Sequence, residues 1–497
     1  VKLGGHFLRE LRATFHSQPQ RPAAICESRT IAFGELEALA ERCAALFQGR
    51  GLQAGDRVVL LTPQKLPFLI ACLGAMYGGA IPLPLNPRFT REELRFCLTD
   101  SGARVVIAGQ DQQTLLAGLV RELPQPPTVI SDEAVLQAPA AIFRGCEAGA
   151  NDPCLILYSS GTTGWPKGVV HSQANMASAL VALRDCWRLN ANDTVINMLP
   201  LFHIHGLVFA TLATWLAGGS VRIEEEFDAS RALETIGQGT VFMAVPPMYY
   251  RLLDESGFRE AAKGWSGVRL FTCGSAPIRP EVLPELENIL GRPVINRYGM
   301  TEAHIITSLP LDGPWPQGSV GLPLTGIEVR VAAEGGADAS PGEVGSVLIR
   351  GSNLFREYWQ KPEATQAAFA GGWFDTGDLG SRDELGFLTL VGRKHDLIIT
   401  SGYNVYPQVV ERVLGECPGV RECAVFGVPD RQRGESVAAA VVRSDPALDD
   451  GQIRAWLADR LVHYQQPREY LFLNSLPRNA LGKILRRDLR DLLTPDS

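Results

Sequence analysis

The sequence has no Cys-x-x-Cys pair. Its ten cysteines are scattered over 497 residues, and the nearest two are Cys417 and Cys423. That excludes the ligand spacing of a structural zinc site and any compact disulfide framework. It fits reduced thiols, mostly buried as small hydrophobes, in a cytoplasmic protein. A strong charge of one sign is also missing. The chain has 47 Lys and Arg against 54 Asp and Glu, a formal net charge of −7. A protein built mainly to grip nucleic acid or an anionic membrane needs a basic excess instead. Val1-Lys2-Leu3-Gly4-Gly5-His6 lacks the apolar core expected of a secretory signal.

Uninterrupted apolar runs of membrane-spanning character are absent too. Residues 66–87 and 194–221 contain no Asp, Glu, Lys or Arg. The first holds Pro67, Gly78-Gly79, Pro82 and Pro84, which predicts a buried helix, a tight turn and a short strand. The second holds two histidines, Pro200 and Gly218-Gly219. Breakers at those places fit core elements and not transmembrane helices. There is no internal repeat.

What is present is alternation. Apolar strands at 58–61, 105–108, 195–199 and 241–245 are interleaved with helical patterns near 66–76 and 91–98. This predicts an α/β fold with mostly parallel sheets. From about 317 to 392 short β-rich pieces (329–331, 346–350, 387–391) sit between glycines, which predicts a small barrel-like part or a distorted sheet. After Arg393 a compact α+β unit of about 100 residues follows, long enough for a separate lobe. The expected division is 1–392 and 393–497, with a hinge near 393–396.

The stretch 158–168, YSSGTTGWPKG, follows an apolar run and contains seven Ser, Thr or Gly and one lysine. Glycine-rich backbone, hydroxyls and a lysine together suit an anion. The Walker pattern and G-x-G-x-x-G are both absent. Composition alone fits a flexible loop better. The order of residues separates the two readings. Ser159-Ser160-Gly161-Thr162-Thr163-Gly164-Trp165-Pro166-Lys167-Gly168 resembles the phosphate loop of the acyl-adenylate-forming enzymes, [ST]-S-G-[ST]-T-G-x-P-K-G, at all nine specified positions.

Further segments resemble the same superfamily in the expected order. Gly274-Ser275-Ala276-Pro277 is similar to the segment along the adenine. Asn296-Arg297-Tyr298-Gly299-Met300-Thr301-Glu302 is similar to the Y-G-x-T-E motif. Trp373 to Asp378 is similar to the ribose-binding W-x-x-T-G-D. Gly392-Arg393 with Asp396 is similar to the hinge motif, and Pro477-Arg478-Asn479 with Gly482-Lys483 to the catalytic-lysine motif. The resemblance spans essentially the whole chain. It implies a large AMP-binding and acyl-pocket domain, a small mobile lid, and an ATP-dependent acid–CoA ligase. A carboxylate attacks the α-phosphorus of ATP, pyrophosphate leaves, and the CoA thiol then displaces AMP from the acyl-AMP. The protein's part is positioning and charge stabilisation.

The same resemblance implies the roles. Thr162, Thr163 and Lys167 hold phosphates, Glu302 helps bind Mg²⁺ through oxygen, and Tyr298 stacks on adenine. Asp378 accepts both ribose hydroxyls, Arg393 contacts ribose or phosphate, and Lys483 bridges the substrate carboxylate and the α-phosphate. Gly402-Tyr403-Asn404 face the pantetheine channel after the lid rotates. His395 stands at the pivot, where Asp or Lys is usual. Each residue also has a plainer reading: solvated loop carboxylate, core aromatic, turn aspartate, exposed basic helix face, solvated hinge histidine.

For the acid, Pro200-Leu201-Phe202-His203-Ile204-His205-Gly206-Leu207 is informative. On a strand His203 and His205 share a face. Two histidines alone make a poor metal site. With Tyr250-Arg251-Leu252-Leu253 the pattern resembles the malonyl-CoA synthetase branch, where an arginine at the position of Arg251 pairs with the distal carboxylate; a surface arginine is the alternative. Malonate or a related small dicarboxylate is favoured, with a fatty or aryl monocarboxylic acid as the alternative substrate. An acyl carrier protein is an alternative acceptor, and a luciferase-like oxidase a further variant. A non-catalytic nucleotide sensor is the competing class, and retention of Glu302, Asp378 and Lys483 argues against it.

Overall fold

Apolar runs without polar alternation become strands buried on both faces. In the computed structural model, which describes residues 5–27, 29–159, 165–478 and 484–493, several such runs lie side by side in one nine-stranded sheet. Its order is Leu322–Pro323, His304–Ser308, Val294–Met300, Leu270–Cys273, Val241–Ala244, Thr194–Asn197, Ser220–Ile223, Pro22–Ile25 and Thr30–Ala32. The six strands from Val294–Met300 to Pro22–Ile25 run parallel, and antiparallel strands finish both ends. A second, four-stranded sheet is wholly parallel: Ile81–Pro84, Arg57–Leu60, Val105–Ala108 and Thr128–Ser131.

The charge-free run 66–87 behaves as its breakers predict. Lys65–Tyr77 is a helix buried along nearly its whole length. Gly79 turns the chain at φ 76°, and Ile81–Pro84 forms an edge strand, where proline is tolerated because one side needs no donor. Among the described residues no helix is long and apolar enough to cross a membrane.

The strands flanking the expected phosphate loop, Pro153–Ser159 and Lys167–Ser172, pair antiparallel, and Glu357–Tyr358 joins them. The β-rich part is a five-stranded antiparallel sheet of Ile327–Ala332, Gly345–Gly351, Trp373–Arg382, Phe369–Ala370 and Leu388–Arg393, with register shifts along two pairings. The C-terminal unit has its own five-stranded sheet, built around the long hairpin Val420–Asp430 and Gly434–Arg443. Apolar clusters cover both of its faces, separate from the large core that holds the nine-stranded sheet.

One expectation fails here. The strand begun at Thr194 ends at Asn197, and His203 and His205 are not on it. The chain turns through 198–204 and enters a π-helix, His205–Leu212, that continues into Ala213–Leu216. The apolar texture of 194–221 fits a strand and a buried helix equally, and the Asn197 side chain ends the strand by accepting from the Leu199 N–H at 3.0 Å.

Candidate functional site

Parallel strands present their C-terminal ends on one edge, and loops leaving that edge form crevices. Four adjacent strands deliver the predicted segments this way. Thr194–Asn197 leads to His203 and His205. Val241–Ala244 leads to the helix Pro246–Asp254 with Arg251. Leu270–Cys273 leads to Gly274–Pro277, and Val294–Met300 carries Asn296 to Met300 into Thr301-Glu302.

The residues expected on the ribose side meet as a buried knot. The Tyr298 hydroxyl donates to Asp378 Oδ2, and Arg393 Nε stands 2.6 Å from Asp378 Oδ1. Asp378 and Arg393 are register partners on neighbouring strands, which explains the pairing. The Asp378 N–H donates to Thr376 Oγ1 at 3.1 Å. Burial opposes the charge of Arg393, yet Asp378 and its other acidic neighbours hold its pKa above the ordinary value. Tyr298, expected as a stacking ring, is seen to orient a carboxylate through its hydroxyl. Asn296 is held by its own contacts, donating to Ser319 O at 3.1 Å.

Glu302 is buried, and desolvation raises its pKa above the ordinary carboxylate range. It accepts from the Tyr358 hydroxyl at 3.2 Å, and its backbone carbonyl accepts from Phe355 at 2.7 Å. Lys167 Nζ lies 4.9 Å from the Tyr358 ring centroid. Tyr358 therefore joins the lysine of the phosphate loop to the acidic residue of the Y-G-x-T-E segment. It is far from both in sequence, and no motif marks it. Ser159 ends its strand with Oγ donating to Lys167 O at 3.5 Å. Ser160, Gly161, Thr162, Thr163, Gly164 and Lys483 lie outside the described residues.

A second group gathers around Arg297. The guanidinium is buried and packs on Gly274, where an added Cβ would sit 2.4 Å from Nε. Nη2 donates to Ser275 Oγ at 3.3 Å, and Ser275 Oγ stands 3.3 Å from His205 Nδ1. Ser275 has a positive φ of 69° in this turn, next to Ala276 and Pro277. Arg297 also lies 5.2 Å from the Phe209 ring centroid. Among the described residues no carboxylate pairs with Arg297, and its Nε has no partner. Desolvation accordingly pushes its pKa down to about 10. The same burial, with Arg297 nearby, pushes His203 down to about 4 and His205 well below its ordinary value. Both are neutral at pH 7.

Arg251 is not part of this group. It is exposed on its helix, with its guanidinium 5.0 Å from the Phe227 ring centroid. Ser401-Gly402 form the turn of a small hairpin, Ile398–Thr400 with Tyr403–Val405, so Tyr403 and Asn404 lie on its second strand, and Gly402 takes φ 83° in the turn. Tyr403 stacks on Tyr464 at 4.4 Å and 10°. Beside them is a cavity of about 390 Å³ lined by Arg433, His463, Gln466 and Arg468 as well. His395 lies between the strands Leu388–Arg393 and Ile398–Thr400, 3.4 Å from Asp396.

The comparisons with known proteins agree with this geometry. Residues 11–359 match the model of the AMP-binding enzyme family, and 409–483 match the AMP-binding enzyme C-terminal domain. The chain is 36% identical to the 2-succinylbenzoate–CoA ligase of Geobacillus kaustophilus, covering 96% of each. It is 34% identical to the long-chain-fatty-acid–CoA ligase FadD13 of Mycobacterium tuberculosis, covering 98% of each. Among solved structures, ATP-bound MatB from Rhodopseudomonas palustris superposes with a TM-score of 0.93 at 34% identity over 98% of each chain.

Proposed function

This chain belongs to the AMP-binding enzyme family, and from that premise we propose that it activates a short acid bearing a second anionic group, malonate or a close relative. The chain is an acid–thiol ligase that works through an adenylate. The acid's carboxylate attacks the α-phosphorus of ATP and pyrophosphate leaves. The thiol of CoA then attacks the acyl carbon and AMP leaves.

The observation that carries the choice of acid is Arg297. A buried guanidinium without a carboxylate is costly, and a second substrate carboxylate removes that cost. Two of the similar proteins, the 2-succinylbenzoate ligase and the malonyl-CoA synthetase MatB, are named for acids with two carboxylates, while others are named for aryl or fatty monocarboxylic acids. Arg297 thereby takes the part expected of Arg251, whose guanidinium is exposed. FadD13 supports the alternative of a fatty monocarboxylic acid.

In this reading Asp378, oriented by Tyr298 and Arg393, receives the ribose hydroxyls. Glu302 would hold Mg²⁺. Its carboxylate is buried, one oxygen accepts from Tyr358 and the other is left for a hard cation, and substrate phosphates supply further oxygens. The bound ion supplies charge neutralisation on those phosphates. Lys483 is assigned to the α-phosphate by its motif. The division at 392/393, the pivot at His395 and a cytoplasmic location, in keeping with ten free cysteines, belong to the same proposal. So does docking of CoA along the 402–404 hairpin, with its nucleotide on Tyr403, Tyr464 and the basic residues beside them. A carrier-protein thiol is the alternative acceptor.

The test is ATP-dependent AMP release, with and without CoA, across malonate, methylmalonate, acetate, octanoate and 4-hydroxycinnamate, with Arg297→Met and Arg251→Ala in parallel. Malonate should lead, and Arg297→Met should lose it by about 100-fold while acetate is little changed. If a monocarboxylate leads and Arg297→Met leaves it untouched, the dicarboxylate assignment falls and the ligase stands.

A further inference from the structure

A π-helix leaves an extra residue in the turn and is less stable than an α-helix, so one of eight residues needs a cause. Here the cause is visible. Asn197, 1% exposed, directs Nδ2 to Gly206 O at 3.0 Å and to Thr211 Oγ1 at 2.9 Å. Thr211, fully buried, donates its hydroxyl to the same Gly206 carbonyl at 2.8 Å. Gly206 itself has no room for a side chain, because a Cβ there would stand 2.4 Å from Pro200 O. The other end of Asn197 is anchored as well. Its backbone carbonyl accepts from buried Lys65 Nζ at 3.2 Å and from the Glu224 N–H at 3.2 Å. Two donors, Asn197 Nδ2 and Thr211 Oγ1, thus meet on the Gly206 carbonyl in the first turn of His205–Leu212, and Asn197 is itself held from a helix and a loop.

We propose that Asn197 and Thr211 are positioning residues for the acid. By clamping the Gly206 carbonyl they lock the π-register and fix His205 against Ser275 and Arg297. If the turn relaxed to an α-helix, one residue would be gained and everything on one side of it would rotate by about 100°. His205 would then leave Ser275, and Phe209 would leave Arg297. Among the described residues the hydrogen bonds of the Asn197 and Thr211 side chains go to residues 199, 206 and each other and not to Tyr298, Asp378 or Arg393, so the clamp acts on the acid side. The assignment of that side rests on the function proposed above.

Thr211→Val keeps the side-chain shape and removes the hydroxyl, and Thr211→Ser restores it. Both are compared with the full-length enzyme, using whichever panel acid the wild type turns over best. The expected result is an acid KM raised about tenfold in Thr211→Val, an ATP KM within about twofold of wild type, and near-normal values in Thr211→Ser. An unchanged acid KM, equal rises for acid and ATP, or a serine variant as impaired as valine overturns the proposal. A second measurement does not depend on the substrate. Amide hydrogen exchange over 205–212 should accelerate in Thr211→Val and not in Thr211→Ser. Unaltered exchange in the valine variant overturns the clamp, even if no panel acid supports AMP release and the function reading fails by itself.

Discussion

At Glu302 burial and function pull in opposite directions. Desolvation favours its neutral form, while a divalent cation needs it ionised. Glu302→Gln keeps the Tyr358 contact and removes the charge. AMP release should fall by about 10²–10³-fold, with a weaker dependence on Mg²⁺ concentration. A variant with wild-type Mg²⁺ dependence contradicts the assignment. Tyr298 offers a gentler case. Its ring position was legible in the Y-G-x-T-E pattern, but its bond to Asp378 was not, because the partners are 80 residues apart and no spacing rule connects them. Tyr298→Phe keeps the ring and frees Asp378 from one donor. The ATP KM should rise roughly fivefold with kcat nearly unchanged, since a lost hydrogen bond to a charged group costs about 1.5–3 kcal/mol less whatever water and ribose restore. An unchanged ATP KM shows that the hydroxyl serves packing alone.

At the scale of elements, segments with a strong local order were readable. The helix Lys65–Tyr77 and the strands Arg57–Leu60, Val105–Ala108 and Val241–Ala244 stand where their sequence patterns put them. The π-helix was not readable, because its register is set by Asn197 and Lys65 from outside it, and an apolar run carries no mark of a side chain arriving from another element. Arg251 and Arg297 show the same limit in another form. Arg251 was expected to anchor the acid and Arg297 was read only as part of the nucleotide segment, and packing alone buries Arg297 and exposes Arg251. The hairpin at 402–404 gives a prediction at this scale. Tyr403 and Tyr464 are a ready stacking platform, and an aromatic face is worth about 0.5–1.5 kcal/mol beyond its buried area. Tyr464→Ala should raise the CoA KM about tenfold, while pyrophosphate release in the absence of CoA is little changed. A rise in the ATP KM with no change for CoA would remove the hairpin from the thiol site.

The whole molecule carries an electrostatic consequence of this packing. His171, His205 and His304 are each at most 1% exposed, and burial lowers their pKa in the folded state, to about 4 for His304 and well below 6.5 for the other two. Half-buried His203 shifts the same way, to about 4. In the unfolded chain all four return to about 6.5 and take up protons below that pH. The unfolded state then binds more protons than the folded state, so stability rises with pH across this window and is lost as pH falls from about 6.5 towards 4. Each fully buried histidine contributes a slope of up to about 1.4 kcal/mol per pH unit. Three together reach about 4 kcal/mol per unit, a large fraction of the 5–15 kcal/mol that holds a typical domain. Glu302 and Glu10, whose pKa values are raised in the fold, act in the opposite direction but are fewer. Chemical denaturation should therefore give only a shallow decline from pH 8 to 7, where buried Lys65, lowered to about 8, takes up its proton in the fold, and a steep fall between pH 6.5 and 5. His304 offers the cleanest check. Its Nδ1 stands 3.0 Å from Asn353 O, and its Nε2 has no partner. His304→Asn keeps a donor near that carbonyl and cannot titrate, so the variant should lose about one histidine's share of the slope even if its stability at pH 8 is lower. A stability that is flat or rising from pH 6.5 to 5 would show that these imidazoles are charged inside the fold.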